Sequence, residues 1–176
     1  MADDEPAKKK VFTPDAIHLV RTVEQIHVQL SAMADHKASI LMGATFVVFT
    51  ITIGQSRGTI PPLPLLVLGG FSFFAAICAV LAILPAVHTK PHSTINLLFF
   101  GSFTQLPEEE YLDRLIDRLQ DSEAIYRTMA RDIYQNGQVL ERKKYRLLGY
   151  AYRIFLAGLT ASFLTFVVQY ALHRPV

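Results

Sequence analysis

Polar and apolar positions along this chain are segregated into long blocks. Three stretches contain no Asp, Glu, Lys or Arg: Ala38–Ser56, Gly58–Thr89 and Ile154–His173, of 19, 32 and 20 residues. About 20 mostly apolar residues in a helix cross a bilayer core, and a backbone in lipid must satisfy its own hydrogen bonds, which selects helix over strand. Each stretch suffices for one crossing. The second opens on the Gly- and Pro-rich Gly58–Leu63, a turn signal, which leaves Pro64–Val87 as its span. The first follows a long charged, amphipathic segment instead of a short basic one, so it reads as a retained span and not as a signal peptide.

Outside these blocks the apolar positions step by threes and fours. Thr13-Pro14-Asp15 is a helix start, a cap residue ahead of a proline in the first turn. Leu19, Val23, Ile26, Leu30 and Met33 then place one seam on a helix leading into the first span. Cations are sparse on the opposite face, so this seam predicts packing on another cytoplasmic helix and not an in-plane membrane anchor. After the second span, Leu97-Leu98-Phe99-Phe100 is too short to cross and is separated from the span by Pro91, so it is interfacial or buried. Leu106-Pro107 followed by Glu108, Glu109 and Glu110 is a second helix start, with acids where the helix dipole favours them. Its seam runs through Leu112, Leu115, Leu119, Tyr126, Met129, Ile133 and Leu140, missing steps at Ser122 and Asn136. The pattern predicts a long helix, interrupted at Asn136-Gly137, that delivers the basic cluster Arg142-Lys143-Lys144-Tyr145-Arg146 to the inner membrane surface.

Composition agrees with the blocks: 51% of residues are hydrophobic, Trp is absent and the mean hydropathy is +0.29. The single cysteine, Cys78, lies in an apolar run and excludes a disulfide framework or a thiolate metal cage. A net charge of +2 leaves no nucleic-acid footprint. The placement of charge says more. Of the 17 Lys and Arg, only Arg57 and Arg174 lie on the far side of the spans from the other 15. The cation-rich side is the cytoplasm, which sets the N-terminus inside and the C-terminus outside. All 15 acidic residues lie there too, but the orientation rule counts cations and not net charge.

Candidate chemistry concentrates at the membrane entry. Ala34-Asp35-His36-Lys37-Ala38-Ser39 sets an acid and a base where the first span begins. Lys37 either snorkels to headgroups while Asp35 stays hydrated, or the pair is a polar switch or ligand contact. His88 and His92, with Lys90 and Asn96, read as interfacial residues, because Pro91 keeps the histidines off a common helix face. No glycine-rich phosphate loop, nucleophile elbow or carboxylate pair on a span is present, so no catalytic residue and no metal ligand is assigned, and the chain reads as a non-enzyme. Ala157, Ala161 and Thr165, Gly158 and Ser162, Ser72 and Ala76, and Ala75 and Ala79 recur at steps of four and predict close helix packing. Ser162, Thr165 and Gln169, like Thr45 and Thr52, fit internal hydrogen bonding better than a pore lining.

Three motifs in order carry a family resemblance: Ala34-Asp35-x-Lys37-Ala38-Ser39 at the first span, Asn96-Leu97-Leu98-Phe99-Phe100-Gly101 after the second, and Lys144-Tyr145-Arg146-x-Leu148 before the third. Over Ile26–Tyr150 the chain resembles the transmembrane effectors of Pycsar antiphage systems. The resemblance implies a protein of the bacterial inner membrane that binds a cyclic pyrimidine mononucleotide, cyclic CMP or cyclic UMP, made by a partner cyclase. It also implies that binding impairs the membrane and causes abortive infection. Asp35, Lys37, Asn96, Lys144 and Arg146 are the ligand-binding candidates on that view, with no cofactor beyond the nucleotide. A cyclic nucleotide needs cations for its phosphate and hydrogen-bonding or aromatic groups for its base, and the cytoplasmic segments offer both. The competing readings are a non-enzymatic inner-membrane scaffold or assembly protein, and a small channel gated by a ligand, voltage or lipid, although no arginine-rich span supports voltage sensing.

The expected fold is an all-α integral membrane protein with three transmembrane helices, its cytoplasmic helices packed as an antiparallel hairpin or, in a homo-oligomer, as a bundle. The chain divides into a disordered tail (1–12), a cytoplasmic amphipathic helix (13–37), a first span (38–56), a periplasmic turn (57–63), a second span (64–87), a cytoplasmic helical region (88–153), a third span (154–173) and a periplasmic tail (174–176).

Overall fold

The computed structural model describes residues 10–55, 60–84 and 95–172, and its regular structure there is helical, without a strand. Most of the N-terminal tail, Arg57, the His88, Lys90 and His92 group and the C-terminal tail lie outside the described residues. Six α-helices follow in order: α1 Ala16–Gln55, α2 Leu63–Ile83, the single turn α3 Phe100–Phe103, α4 Glu108–Leu119, α5 Ser122–Val139 and α6 Arg146–Leu172. A π-helical turn, Leu140–Tyr145, joins α5 to α6. Three helical stretches are long and apolar enough to cross a membrane: α1, α2 and the continuous Ser122–Leu172.

Local chemistry explains the ends. α2 starts on Pro62 and Pro64, where a missing N–H costs nothing because first-turn donors have no helical acceptor. It stops at Ile83, since Pro85 disfavours the helical conformation for the residue before it; Leu84 accordingly turns extended, with ψ 130°. α1 starts just past Pro14, with the Ala16 amide on the Thr13 carbonyl at 3.0 Å.

Two compact units divide the chain, one comprising Met1–Val28 with Ala86–Gly137 and the other Gln29–Pro85 with Gln138–Val176. In the second unit α2 packs along α6, and its buried face is a file of small residues, Gly69, Ser72, Ala75, Ala79 and Ala82. Ala34, Ala38 and Leu41 of α1 meet Ala79 of α2 and Leu148 and Ala151 of α6 in one cluster. Lipid chains are as apolar as leucine, so such helices gain by close approach and not by hiding apolar bulk. The large side chains point outward: Phe46, Ile53, Phe74, Phe163 and Phe166 are all exposed. The hydroxyls expected to bond internally do so. Thr45 is buried on the Met42 carbonyl at 2.8 Å, Thr52 bonds the Val48 carbonyl at 2.8 Å, and Ser162 donates across to the Pro64 carbonyl at 2.8 Å.

The first unit is more polar and departs from the seam pattern in three places. Leu19 and Ile26 of α1 are exposed, while Val23 of the expected seam is half-buried together with Val20 and His27, so the inward face keeps Val23 but is rotated from the rest of the seam in this unit. The expected single helix after Pro107 is broken at Gln120, because Asp121 caps a new start: its Oδ2 accepts the Ala124 amide at 3.1 Å. Asn136-Gly137 does not interrupt α5. Gly137 instead lets α5 approach α1, since a Cβ there would stand 3.2 Å from the His27 ring.

The chain before α1 is tied to α5 within this unit, with the Phe12 and Tyr126 ring centroids 4.4 Å apart and Lys10 3.3 Å from Glu123. Hydrogen bonds from Arg127 and then Lys10 hold the Glu123 carboxyl below the ordinary glutamate range. A depressed carboxyl contributes stability above its unfolded-state value and loses it as pH falls through the folded one. Arg127→Ala is therefore expected to raise the Glu123 pKa towards the ordinary value in an NMR titration, and a titration unchanged by the substitution would contradict this origin.

Candidate ligand-contacting sites

In the second unit the π-helical turn sets two consecutive lysines on different partners. A π turn spreads its residues over a wider circuit than an α turn and occurs mostly as a single turn at functional positions. Lys143 Nζ donates to the Leu84 carbonyl at 2.7 Å, a cation at the electronegative end of α2. Lys144 Nζ donates to both Asp35 oxygens at 2.8 and 2.7 Å and to Ser31 Oγ at 2.7 Å. An ammonium has three N–H groups, and here all three are used inside the protein. Tyr145, next in the turn, donates its hydroxyl to the Leu30 carbonyl at 3.2 Å. Lys143 and Lys144 of the basic cluster thus bind helices, partners that the sequence pattern did not name.

Asp35 and Lys37 are separated by the helix itself. Residues two apart point to opposite sides, so Asp35 turns to Lys144 while the Lys37 side chain is exposed; the Lys37 carbonyl accepts the Tyr152 hydroxyl at 3.0 Å. Arg146 is exposed and hydrogen-bonds Tyr150, one turn on. Of the four candidates in this unit, Asp35 and Lys144 are brought into contact. Ser31, the third member of their cluster, escaped sequence reasoning because a lone serine one turn before Asp35 carries no distinguishing signal.

Asn96 belongs to the first unit and is buried. Its amide Nδ2 donates to Asp132 Oδ1 at 2.8 Å and to Gln135 Oε1 at 2.8 Å, and its Oδ1 accepts the Leu98 amide at 2.9 Å. Its own backbone N–H donates to Ser102 Oγ at 2.9 Å, while Asn136 Nδ2 donates to Asp132 Oδ2 at 2.9 Å. Asp132 is thus a buried carboxylate held by two side-chain amides. The missing seam step at Asn136 was its one sequence signal, since Asp132 shares that helix face. The run Leu97–Phe100 is divided by this clasp: Leu97 is buried, and Leu98 and Phe100 are exposed.

Asn96→Ala removes partners from Asp132, Gln135 and the Leu98 amide together. Each buried polar group left unpaired costs about 1–3 kcal/mol, so a loss of roughly 2–4 kcal/mol is expected, seen as faster amide hydrogen exchange through Phe100–Phe103. Unchanged exchange there would show that the clasp does not hold this segment. Among the described residues no three His, Cys, Asp or Glu side chains gather as a metal site.

With this geometry in view, comparison with known families finds that the family model described as the Pycsar effector protein domain aligns with residues 18–172. It extends at both ends beyond the Ile26–Tyr150 region that carried the motif resemblance. Comparisons with curated proteins and with solved structures give no match.

Proposed function

The chain belongs to the Pycsar effector domain family, and we propose that within this antiphage defence role it binds a cyclic pyrimidine mononucleotide, cyclic CMP or cyclic UMP, and then impairs the bacterial inner membrane. The ligand comes from a partner cyclase, and the infected cell dies or stops growing. The effector performs no catalysis and carries no cofactor. Its N-terminus and residues 88–153 face the cytoplasm, its C-terminus faces the periplasm, and it works as a homo-oligomer.

The observation that carries this reading is the pairing of Lys144 with Asp35. A phosphate and a carboxylate compete for the same ammonium, and each binds it by charge-assisted hydrogen bonds. In the resting state Asp35 occupies Lys144 and ties α1 to the π-helical turn. Nucleotide phosphate displaces Asp35, with exposed Lys37 and Arg146 as further cations, and releases that tie. Asn96, whose hydrogen bonds are spent inside its own unit, acts as a positioning residue. A ligand shifts such an equilibrium only through differential affinity, and reversing a 1:99 population takes about a 10,000-fold preference. The outward apolar side chains of α6 support association with lipid and with further copies.

The test is calorimetric titration of the detergent-solubilised full chain with cyclic CMP, cyclic UMP, cyclic AMP and cyclic GMP, beside a membrane-potential dye in cells. A pyrimidine nucleotide is expected to bind and to depolarise the membrane, and Lys144→Ala to abolish binding. If none of the four binds, the reading fails and a scaffold role replaces it.

A further inference from the structure

The first two turns of α6 carry an exposed polar face on one side of the helix. Residues three, four and seven apart share a helix face, which groups Arg146, Gly149, Tyr150 and Arg153, all in the second unit. Arg146, Tyr150 and Arg153 are exposed, and no described residue pairs with the Arg153 guanidinium. Nothing lies within 4 Å of the position a Cβ would take on Gly149. A glycine in a helix interior costs about 1 kcal/mol against alanine, and no neighbour demands this one, so the missing side chain opens a notch between the two arginines.

The depth of this face is set by the helices themselves. Arg153 is the last charged residue before Ile154–His173, and Lys37 is the last before Ala38–Ser56. The Tyr152 hydroxyl bonds the Lys37 carbonyl at 3.0 Å, so both boundaries lie at one level. Arg146 stands seven residues before Arg153, about 10 Å along an α-helix. The polar layer of a leaflet is roughly 5–8 Å thick, and the notch falls inside it.

We infer that Arg146, Gly149, Tyr150 and Arg153 form a binding site for a phosphodiester monoanion. The two guanidinium groups converge on the phosphate from either side, the Tyr150 hydroxyl donates to a phosphate oxygen, and Gly149 leaves room for the ester groups. Guanidinium is suited to this because its planar fork meets two phosphate oxygens at once. The depth of the notch makes a lipid headgroup the expected source; a free cyclic nucleotide offers the same chemistry. The site rests on the membrane placement of α1 and α6 and stands or falls apart from the Asp35–Lys144 pair.

Native mass spectrometry of the purified full chain with added phosphatidylglycerol reads the lipid arm, and titration with cyclic CMP and cyclic UMP reads the free-anion arm. The paired substitution Arg146→Gln with Arg153→Gln, and separately Gly149→Leu, which keeps both charges and fills the notch, are each expected to weaken phosphatidylglycerol retention about tenfold. Arg131→Gln, an exposed arginine of α5 in the first unit, is the control and is expected to retain lipid as the parent does. Circular dichroism verifies that each variant is folded. Because Arg146 also serves the proposed nucleotide site, the source is read from Gly149→Leu, which keeps both charges: lost lipid with intact nucleotide titration in that variant assigns the site to headgroups, and the reverse assigns it to the free phosphodiester. Overturning results are an undiminished response in both arms for the paired variant, or a loss in the Arg131→Gln control equal to that of the pair.

Discussion

Gly158→Leu will abolish the folded membrane bundle, and even Gly158→Ala is expected to cost about 1–3 kcal/mol, the range for forcing extra volume into a packed site. A Cβ at Gly158 would overlap the Cβ of Phe71 on α2. That atom is anchored to its backbone, so no rotamer change relieves the overlap and the two helices must move apart. Separation there also stretches the Ser162 hydrogen bond to the Pro64 carbonyl. Gly70 on α2 has nothing within 4 Å of its missing Cβ, and Gly70→Ala should be neutral or stabilising by up to about 1 kcal/mol. Thermal unfolding of both variants in detergent checks the contrast. Equal melting temperatures would mean that close approach at Gly158 does not hold α2 to α6.

The second large effect is expected at the Asp35–Lys144 pair. Exposed ion pairs contribute about 0.2–1 kcal/mol, whereas removing one partner of a buried pair costs about 3–5 kcal/mol. The Lys144 side chain is 19% exposed and Asp35 41% exposed, which places this pair between those limits. Asp35→Ala leaves an ammonium with Ser31 as its one remaining partner, and a loss of about 1–3 kcal/mol is expected. The double-mutant cycle with Lys144→Ala should give a coupling of about 1–2 kcal/mol. In cells, each single variant is expected to depolarise the membrane without any nucleotide, since the tie between α1 and the π-helical turn is already cut. A coupling near zero, or variants that are silent in cells, would remove this pair from the mechanism.

Nucleotide competition and stability are then two readings of one contact. If phosphate displaces Asp35, Asp35→Ala should bind nucleotide more tightly, because the internal competitor is gone. Lys144→Ala should lose binding. Opposite signs from the two halves of one ion pair distinguish a competitive site from a merely structural bridge.

The membrane helices were readable in the chain because charge-free length is itself the physical requirement for crossing lipid. The start of α2 was readable too, since proline suits a first turn, but its end was not: the span was carried to Val87, whereas Leu84 already turns extended ahead of Pro85. The inward face of α1 was not. Leu19 and Ile26 share the seam's spacing with Val23, yet only Val23 of the three turns inward, joined by Val20 and His27, because helix rotation is set by what the neighbouring helix offers. Likewise Asn136-Gly137 carries a local breaking signal that the fit of Gly137 to His27 overrides.

By itself the sequence determined the number of apolar helices and their approximate ends. It also determined which residue types gather at the membrane entry, because these depend on composition and on neighbours a turn away. Only the tertiary structure decided which of those residues meet. Asp35 pairs with Lys144 across 109 positions of sequence, and Asn96 with Asp132 across 36. Contacts at that separation follow from helix packing and from where a π turn points its lysines, and neither is encoded in a local pattern.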